Sequence, residues 1–293
     1  FMNSDFVVPI PPSYNQSQEL CLKDVDTYIK FLEKSGVVST VMTTAGTSQY
    51  NLLSDVEIMS LNYQVSLFSN KKIIGLPAKS LIELKKFLAS QKAMIQSDNC
   101  HYMGLYPDRF YDNKTIIDYF SFVSEYVESP IYVHGMFMRA GRGGQWNFTA
   151  DVLNELFDRN LIVGIKEEHS DLAASYNFIL NLNPKMDIIV AGGSMRRHKF
   201  LRNAGANSFL SGVGNLCPHI ENTYILGNES AAIEKENKLF TVFNKHGWHR
   251  SLRIALSILN LGCKYDRMPW SQRDDETVAD IHNVIKEIGI INE

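Results

Sequence analysis

The chain has 293 residues, 45% of them hydrophobic and 21% charged, with a formal net charge of -3. This is an ordinary globular composition, and the near-balanced charge argues against nucleic acid or a membrane surface as partner. No stretch is long and apolar enough to span a bilayer and no leader pattern opens the chain. The four cysteines form no CxxC pair, so reduced thiols, a cytoplasmic location and no metal site are expected.

Short apolar runs alternate with amphipathic ones. Phe6 to Ile10 is a first strand, stopped by Pro11-Pro12. Val25, Ile29, Phe31 and Leu32 form a helical stripe closed by Gly36, and Val37 to Thr44 is a second strand. Ser54 followed three residues later by Glu57 marks a helix start. Lys72 to Gly75 is the third strand, Leu81 to Leu88 a helix and His101 to Leu105 the fourth strand. A helix over 115–127 leads to a fifth strand, Pro130 to His134, and a helix near Thr149 to Phe157 leads to the sixth. Asp187 to Ala191 is the seventh strand, Arg196 to Ala204 a helix and Ser208 to Gly212 the eighth strand. Eight alternating units favour a TIM (β/α)8 barrel over 1–215, with an open doubly wound sheet as the alternative. Residues 216–293 read as a helical C-terminal extension, with helices over 231–244, 249–261 and 276–288.

The sixth strand carries the most pointed signal. Leu161-Ile162-Val163-Gly164-Ile165 runs without charge into Lys166. Side chains alternate along a strand, so Ile162, Gly164 and Lys166 share a face. A lysine desolvated at the end of a buried strand shifts toward its neutral amine, which can attack a ketone. The same pattern also fits a lysine that marks the strand end and points into solvent.

Together these segments resemble the dihydrodipicolinate synthase and N-acetylneuraminate lyase family of class I aldolase-type lyases. The resemblance rests on Val8-Pro9-Ile10, on Thr43-Thr44-Ala45-Gly46-Thr47 followed by Leu53-Ser54-Asp55, and on Pro130-Ile131-Tyr132. It continues through Gly164-Ile165-Lys166-Glu167, Gly205-Ala206-Asn207 with Gly212, Asn215 and Pro218, and Arg267-Met268-Pro269. It implies a Schiff base on Lys166, a route through pyruvate or a longer 2-oxo acid, no cofactor, and a homotetramer or dimer. It makes Tyr132 the proton relay and Thr44 the hydroxyl beside it, with the Thr44 and Ala45 amides on the substrate carboxylate. His134 could serve as a second acid or base, since a histidine titrates near neutrality, but a lone histidine fits a structural role more readily. Arg139 or Arg142, in a glycine-rich loop, could clamp a second carboxylate. Ala45, Arg139, Arg142, His134, Gly193 and Gly212 make up the substrate-binding set.

Several positions depart from the family pattern. Ala45 replaces a threonine and Thr47 a glutamate, and Pro107-Asp108-Arg109 stands where an aromatic pair is common. Arg139-Ala140-Gly141 resembles an RTG segment but falls two residues late. These departures predict a substrate other than that of dihydrodipicolinate synthase. A dehydratase of 2-oxo sugar acids or an imino-acid deaminase could use the same imine. A non-catalytic barrel that binds a 2-oxo acid is the alternative of another class.

Overall fold

The computed structural model describes residues 5–107, 112–135, 149–270 and 273–291. Eight strands close into a barrel in chain order. They are β1 (Asp5–Pro9), β2 (Thr40–Met42), β3 (Lys71–Gly75), β4 (Cys100–Gly104), β5 (Ile131–Gly135), β6 (Ile162–Glu167), β7 (Asp187–Val190) and β8 (Ser208–Leu210). The registered pairs are parallel, including β1 with β8, which joins Asp5 to Ser208 and Val7 to Leu210. The open-sheet alternative is therefore excluded.

Between strands run α1 (Leu22–Lys34), α2 (Asp55–Ser66), α3 (Leu81–Met94), α4 (Asn113–Val127), α5 (Ala150–Asp158), α6 (Leu172–Leu180) and α7 (Ser194–Leu201). After β8 come α8 (Pro218–Ile225), α9 (Glu229–His246), α10 (Trp248–Ile258) and α11 (Asp275–Glu287). The local chemistry of the sequence explains many of these bounds. Ser54 and Glu57 form the reciprocal capping box of α2, and Ser80, Asp112, Thr149, Asp171 and Asp274 cap α3, α4, α5, α6 and α11 through their side chains. Two helices, α6 and α8, lack a clear apolar period in the sequence and were not expected. The second strand is shorter than expected because Thr44 to Leu53 folds into tight turns, with Ser48 N–H on Thr44 O and Tyr50 N–H on Ala45 O.

The chain divides into two compact units. One contains Phe1–Val7 with Asn70–Leu210, the other Val8–Ser69 with Ser211–Glu293. In the first, the β5–β6 register sets Tyr132 opposite Gly164 and His134 opposite Lys166. Gly164 is required there, because a Cβ would lie 2.1 Å from the Asp187 carbonyl oxygen on β7. In the second, the Tyr14 ring lies against the guanidinium groups of Arg253 and Arg267, 5.0 and 4.5 Å from its centroid. Arg267 also pairs with both oxygens of Glu57 on α2, at 2.6 and 3.0 Å, and donates to Leu52 O. The Arg267-Met268-Pro269 element thus anchors the turn that precedes α2.

Candidate active site

Lys166 ends the inward face of β6 and is 1% exposed. Its Nζ lies 2.5 Å from Glu168 Oε1 and 3.0 Å from His134 Nε2. His134 Nε2 is in turn 2.9 Å from Glu168 Oε2. His134 stands on β5 directly beside Lys166 because of the register, and it is equally buried. Glu168 follows the last residue of β6, where the chain leaves the ladder and turns its carboxylate back over the lysine.

Burial lowers the Lys166 pKa below that of an ordinary lysine. The charges of Glu168 and Glu167 pull the other way without prevailing. Burial also opposes ionisation of Glu168, but the Lys166 charge and the His134 hydrogen bond outweigh it and hold the carboxyl well below its usual range. Glu167 belongs to a different neighbourhood. Its side chain points to the other face of the strand, toward the helices, where it accepts from Ser175 Oγ at 2.7 Å and from Arg197 Nη2 at 3.0 Å and meets His169 Nδ1 at 2.6 Å. Of the two consecutive glutamates, one therefore braces the strand against α6 and α7, and the other serves the lysine.

Tyr132 does not meet Lys166. Its hydroxyl donates to Asp187 Oδ2 at 2.5 Å and accepts from Lys71 Nζ at 2.6 Å. Asp187 and Lys71 are the first residues of β7 and β3, so this hydroxyl lies toward the amino ends of the strands. Tyr132 and His134 do share a face, as their spacing predicts, but they occupy successive layers of the barrel. The register thus sets the Tyr132 hydroxyl apart from the Lys166 amine. Burial and the Asp187 carboxylate both push the phenol far above its ordinary pKa.

The remaining expected residues separate. Thr44 lies just beyond β2, is 2% exposed, and its Oγ1 has no hydrogen-bond partner among the described residues. Its amide does not await a carboxylate: it donates to Ser48 Oγ at 3.0 Å, and Ser48 donates to Ile10 O. Ala45 is buried in the same turn. The Gly212 amide is likewise taken, donating to the buried Glu221 Oε1 at 2.7 Å. Gly193 precedes α7, where a Cβ would meet that of Arg197 at 2.9 Å, so its small size serves helix packing. Arg139 and Arg142, with Asp108 and Arg109, lie outside the described residues. Glu168, Lys71 and Asp187 were missed from sequence. The repeated glutamate after Lys166 was the one available signal for the first.

Among the described residues no group of three or more His, Cys, Asp or Glu side chains is arranged to hold a metal ion, and no helix is long and apolar enough to cross a membrane.

No family model matches the chain. It is 24% identical over 271 residues to the 4-hydroxy-tetrahydrodipicolinate synthase of Karelsulcia muelleri (strain GWSS), covering 87% of this chain and 88% of that protein. The N-acetylneuraminate lyase of Fusobacterium nucleatum has a similar structure, with a TM-score of 0.81 at 13% identity over 98% of this chain and 99% of that one. So has YagE, a prophage protein of the dihydrodipicolinic acid synthase family from E. coli K12 solved in complex with pyruvate, with a TM-score of 0.82 at 15% identity over 99% and 100%. In sequence over most of its length, and in fold over nearly all of it, the chain is similar to proteins of the dihydrodipicolinate synthase and N-acetylneuraminate lyase family.

Proposed function

We propose that the protein is a lyase of the aldolase type that forms a Schiff base between Lys166 and pyruvate or another 2-oxo acid. The observation that carries this reading is a buried lysine at the carboxyl end of a barrel strand, its pKa lowered by burial, in contact with an imidazole and a carboxylate. Barrel enzymes place their chemistry at the carboxyl ends of the strands. The similarity to a synthase and to a pyruvate-bound family member supports the same class.

An amine on a buried strand end converts a ketone carbonyl into an iminium, which accepts electrons when a neighbouring bond breaks. The reaction needs no cofactor. Thr44 remains proposed as a substrate-binding residue on the family resemblance, and its buried hydroxyl, without a partner among the described residues, is free to meet a polar ligand atom. Arg139 and Arg142 remain proposed for a second polar group of the substrate. The departures at Ala45 and Thr47 support a substrate other than that of dihydrodipicolinate synthase. We assign the protein a homo-oligomeric, cytoplasmic setting, in keeping with its free cysteines.

The test is reduction with borohydride in the presence of a panel of 2-oxo acids. At least one acid should inactivate the enzyme irreversibly and add its reduced mass to the chain. No mass gain with any acid would overturn the proposal. Release or consumption of pyruvate then separates an aldolase from a dehydratase or deaminase, which would expel water or ammonia instead.

A further inference from the structure

The three contacts around Lys166 restrict where protons can sit. Nζ, His134 Nε2 and Glu168 form a closed triangle with sides of 3.0, 2.9 and 2.5 Å. The Glu168 carboxylate, 15% exposed, balances one positive charge, and a second one shared by the buried Lys166 and His134 would be costly. That leaves the proton on Lys166 or on His134.

If Lys166 is an ammonium and Nε2 is bare, lone pairs of Nε2 and Glu168 Oε2 face each other at 2.9 Å. If Lys166 is an ammonium and Nε2 carries the hydrogen of a neutral ring, two donors face each other at 3.0 Å. If His134 is an imidazolium and Lys166 a neutral amine, all three contacts attract. Nε2–H then lies between Glu168 Oε2 and the Nζ lone pair, and Nζ–H donates to Glu168 Oε1.

We infer that His134 carries the protons of the Lys166 reaction and that Glu168 holds the imidazolium and the amine in register. His134 is a catalytic residue in this account, since it touches the reacting nitrogen. Glu168 touches the same nitrogen at 2.5 Å and is catalytic in the same sense; its part is to pair with the imidazolium and accept from the amine, which orients both. The inference rests on the proposed Schiff-base chemistry and names the relay for it.

The steps balance without a further reactant. The neutral amine attacks C2 of the 2-oxo acid, and the N–C bond forms as the carbonyl π pair moves to oxygen. That oxygen takes the proton held by His134. The nitrogen, now an ammonium, returns one proton to His134, which passes it to the hydroxyl as the C–O bond breaks. Water leaves, and the nitrogen lone pair forms the iminium. His134, now neutral, then takes a proton from C3. The C–H pair becomes a C=C bond and the iminium π pair returns to nitrogen, which leaves an enamine.

The reading is tested by exchange of the C3 hydrogens of pyruvate for deuterium, followed by NMR, beside borohydride labelling with pyruvate on the same samples. Wild-type protein should label and exchange. His134→Asn should still label to completion, though slowly, and exchange at least ~100-fold more slowly, the usual contribution of a general base. Added imidazole should restore part of the exchange in His134→Ala. Glu168→Gln should lower exchange by roughly tenfold or more, and Glu168→Asp should recover part of it. Wild-type-like exchange in His134→Asn, or in Glu168→Gln, would overturn the relay while leaving the lysine chemistry intact. If circular dichroism shows the histidine variants unfolded, the Gln and Asp pair at 168 decides alone. A wild-type protein that neither labels nor exchanges would remove the Schiff-base reading and the relay with it.

Discussion

Tyr132→Phe separates the sequence expectation from the observed geometry. The change removes one hydroxyl that donates to Asp187 at 2.5 Å and accepts from Lys71 at 2.6 Å. Hydrogen bonds to charged groups contribute about 1.5–3 kcal/mol each. Both partners are about one third exposed, at 31% and 33% of their side-chain surface, and they already lie 3.5 Å apart. Water and their mutual approach recover part of the loss, so a net destabilisation of roughly 1.5–3 kcal/mol is expected. For a chain of this size that lowers the melting temperature by roughly 2–5 °C. The rate of imine formation, followed by borohydride labelling at several times, should stay within about threefold of wild type, because the hydroxyl serves β3 and β7 and not the lysine. An unchanged melting temperature with imine formation slowed by ~100-fold or more would refute the reasoning and restore Tyr132 as a relay.

Thr44→Val removes a buried hydroxyl that has no partner among the described residues, so thermal stability should hold or rise while, on the proposed role, KM for the 2-oxo acid increases; a melting temperature several degrees lower would show a further partner. Gly164→Ala places a methyl 2.1 Å from the Asp187 carbonyl, and should cost ~3 kcal/mol or more by parting β6 from β7, seen as low soluble yield or a much lower urea midpoint. Glu57 has its pKa lowered from 4.5 to about 2, chiefly by the Arg267 hydrogen bonds. Its contribution is therefore present above pH 4.5 and lost as pH falls toward 2, so Glu57→Gln should flatten the acid limb of a stability profile in that window. An acid limb identical to wild type would remove that assignment. In a coupled assay, pyruvate plus aspartate semialdehyde should turn over poorly, because Ala45 and Thr47 replace the usual polar side chains; a kcat/KM of ~10⁴ M⁻¹s⁻¹ or more would contradict this.

The barrel was legible because its cues were local. Apolar runs, caps such as Ser54 with Glu57, and strict strand–helix alternation each point to the same fold. The site was only half legible. A period of two assigns Tyr132, His134, Gly164 and Lys166 to inward faces, but it does not say how deep along the barrel each one lies. Depth depends on register between β5 and β6, a tertiary property, and it brings His134 rather than Tyr132 to the lysine. The two-residue offset of Arg139-Ala140-Gly141 in the family comparison equals the spacing from Tyr132 to His134, so matching the chain on His134 removes it. Glu168 was signalled only by the repeated glutamate, because it lies past the strand end, where alternation no longer governs side-chain direction. The turn after β2 hid its own amide partner, Ser48, because a local side-chain bond has no periodic signature.

The central claim is that Lys166 is the reacting amine, and peptide mapping by mass spectrometry after borohydride reduction with an accepted 2-oxo acid tests it most directly. The account predicts the added mass on the peptide containing Lys166, with fragment ions placing it on that side chain, and no labelling in Lys166→Met under the same conditions. Labelling at Lys71, Lys72 or any other lysine, or undiminished labelling of Lys166→Met, would contradict it.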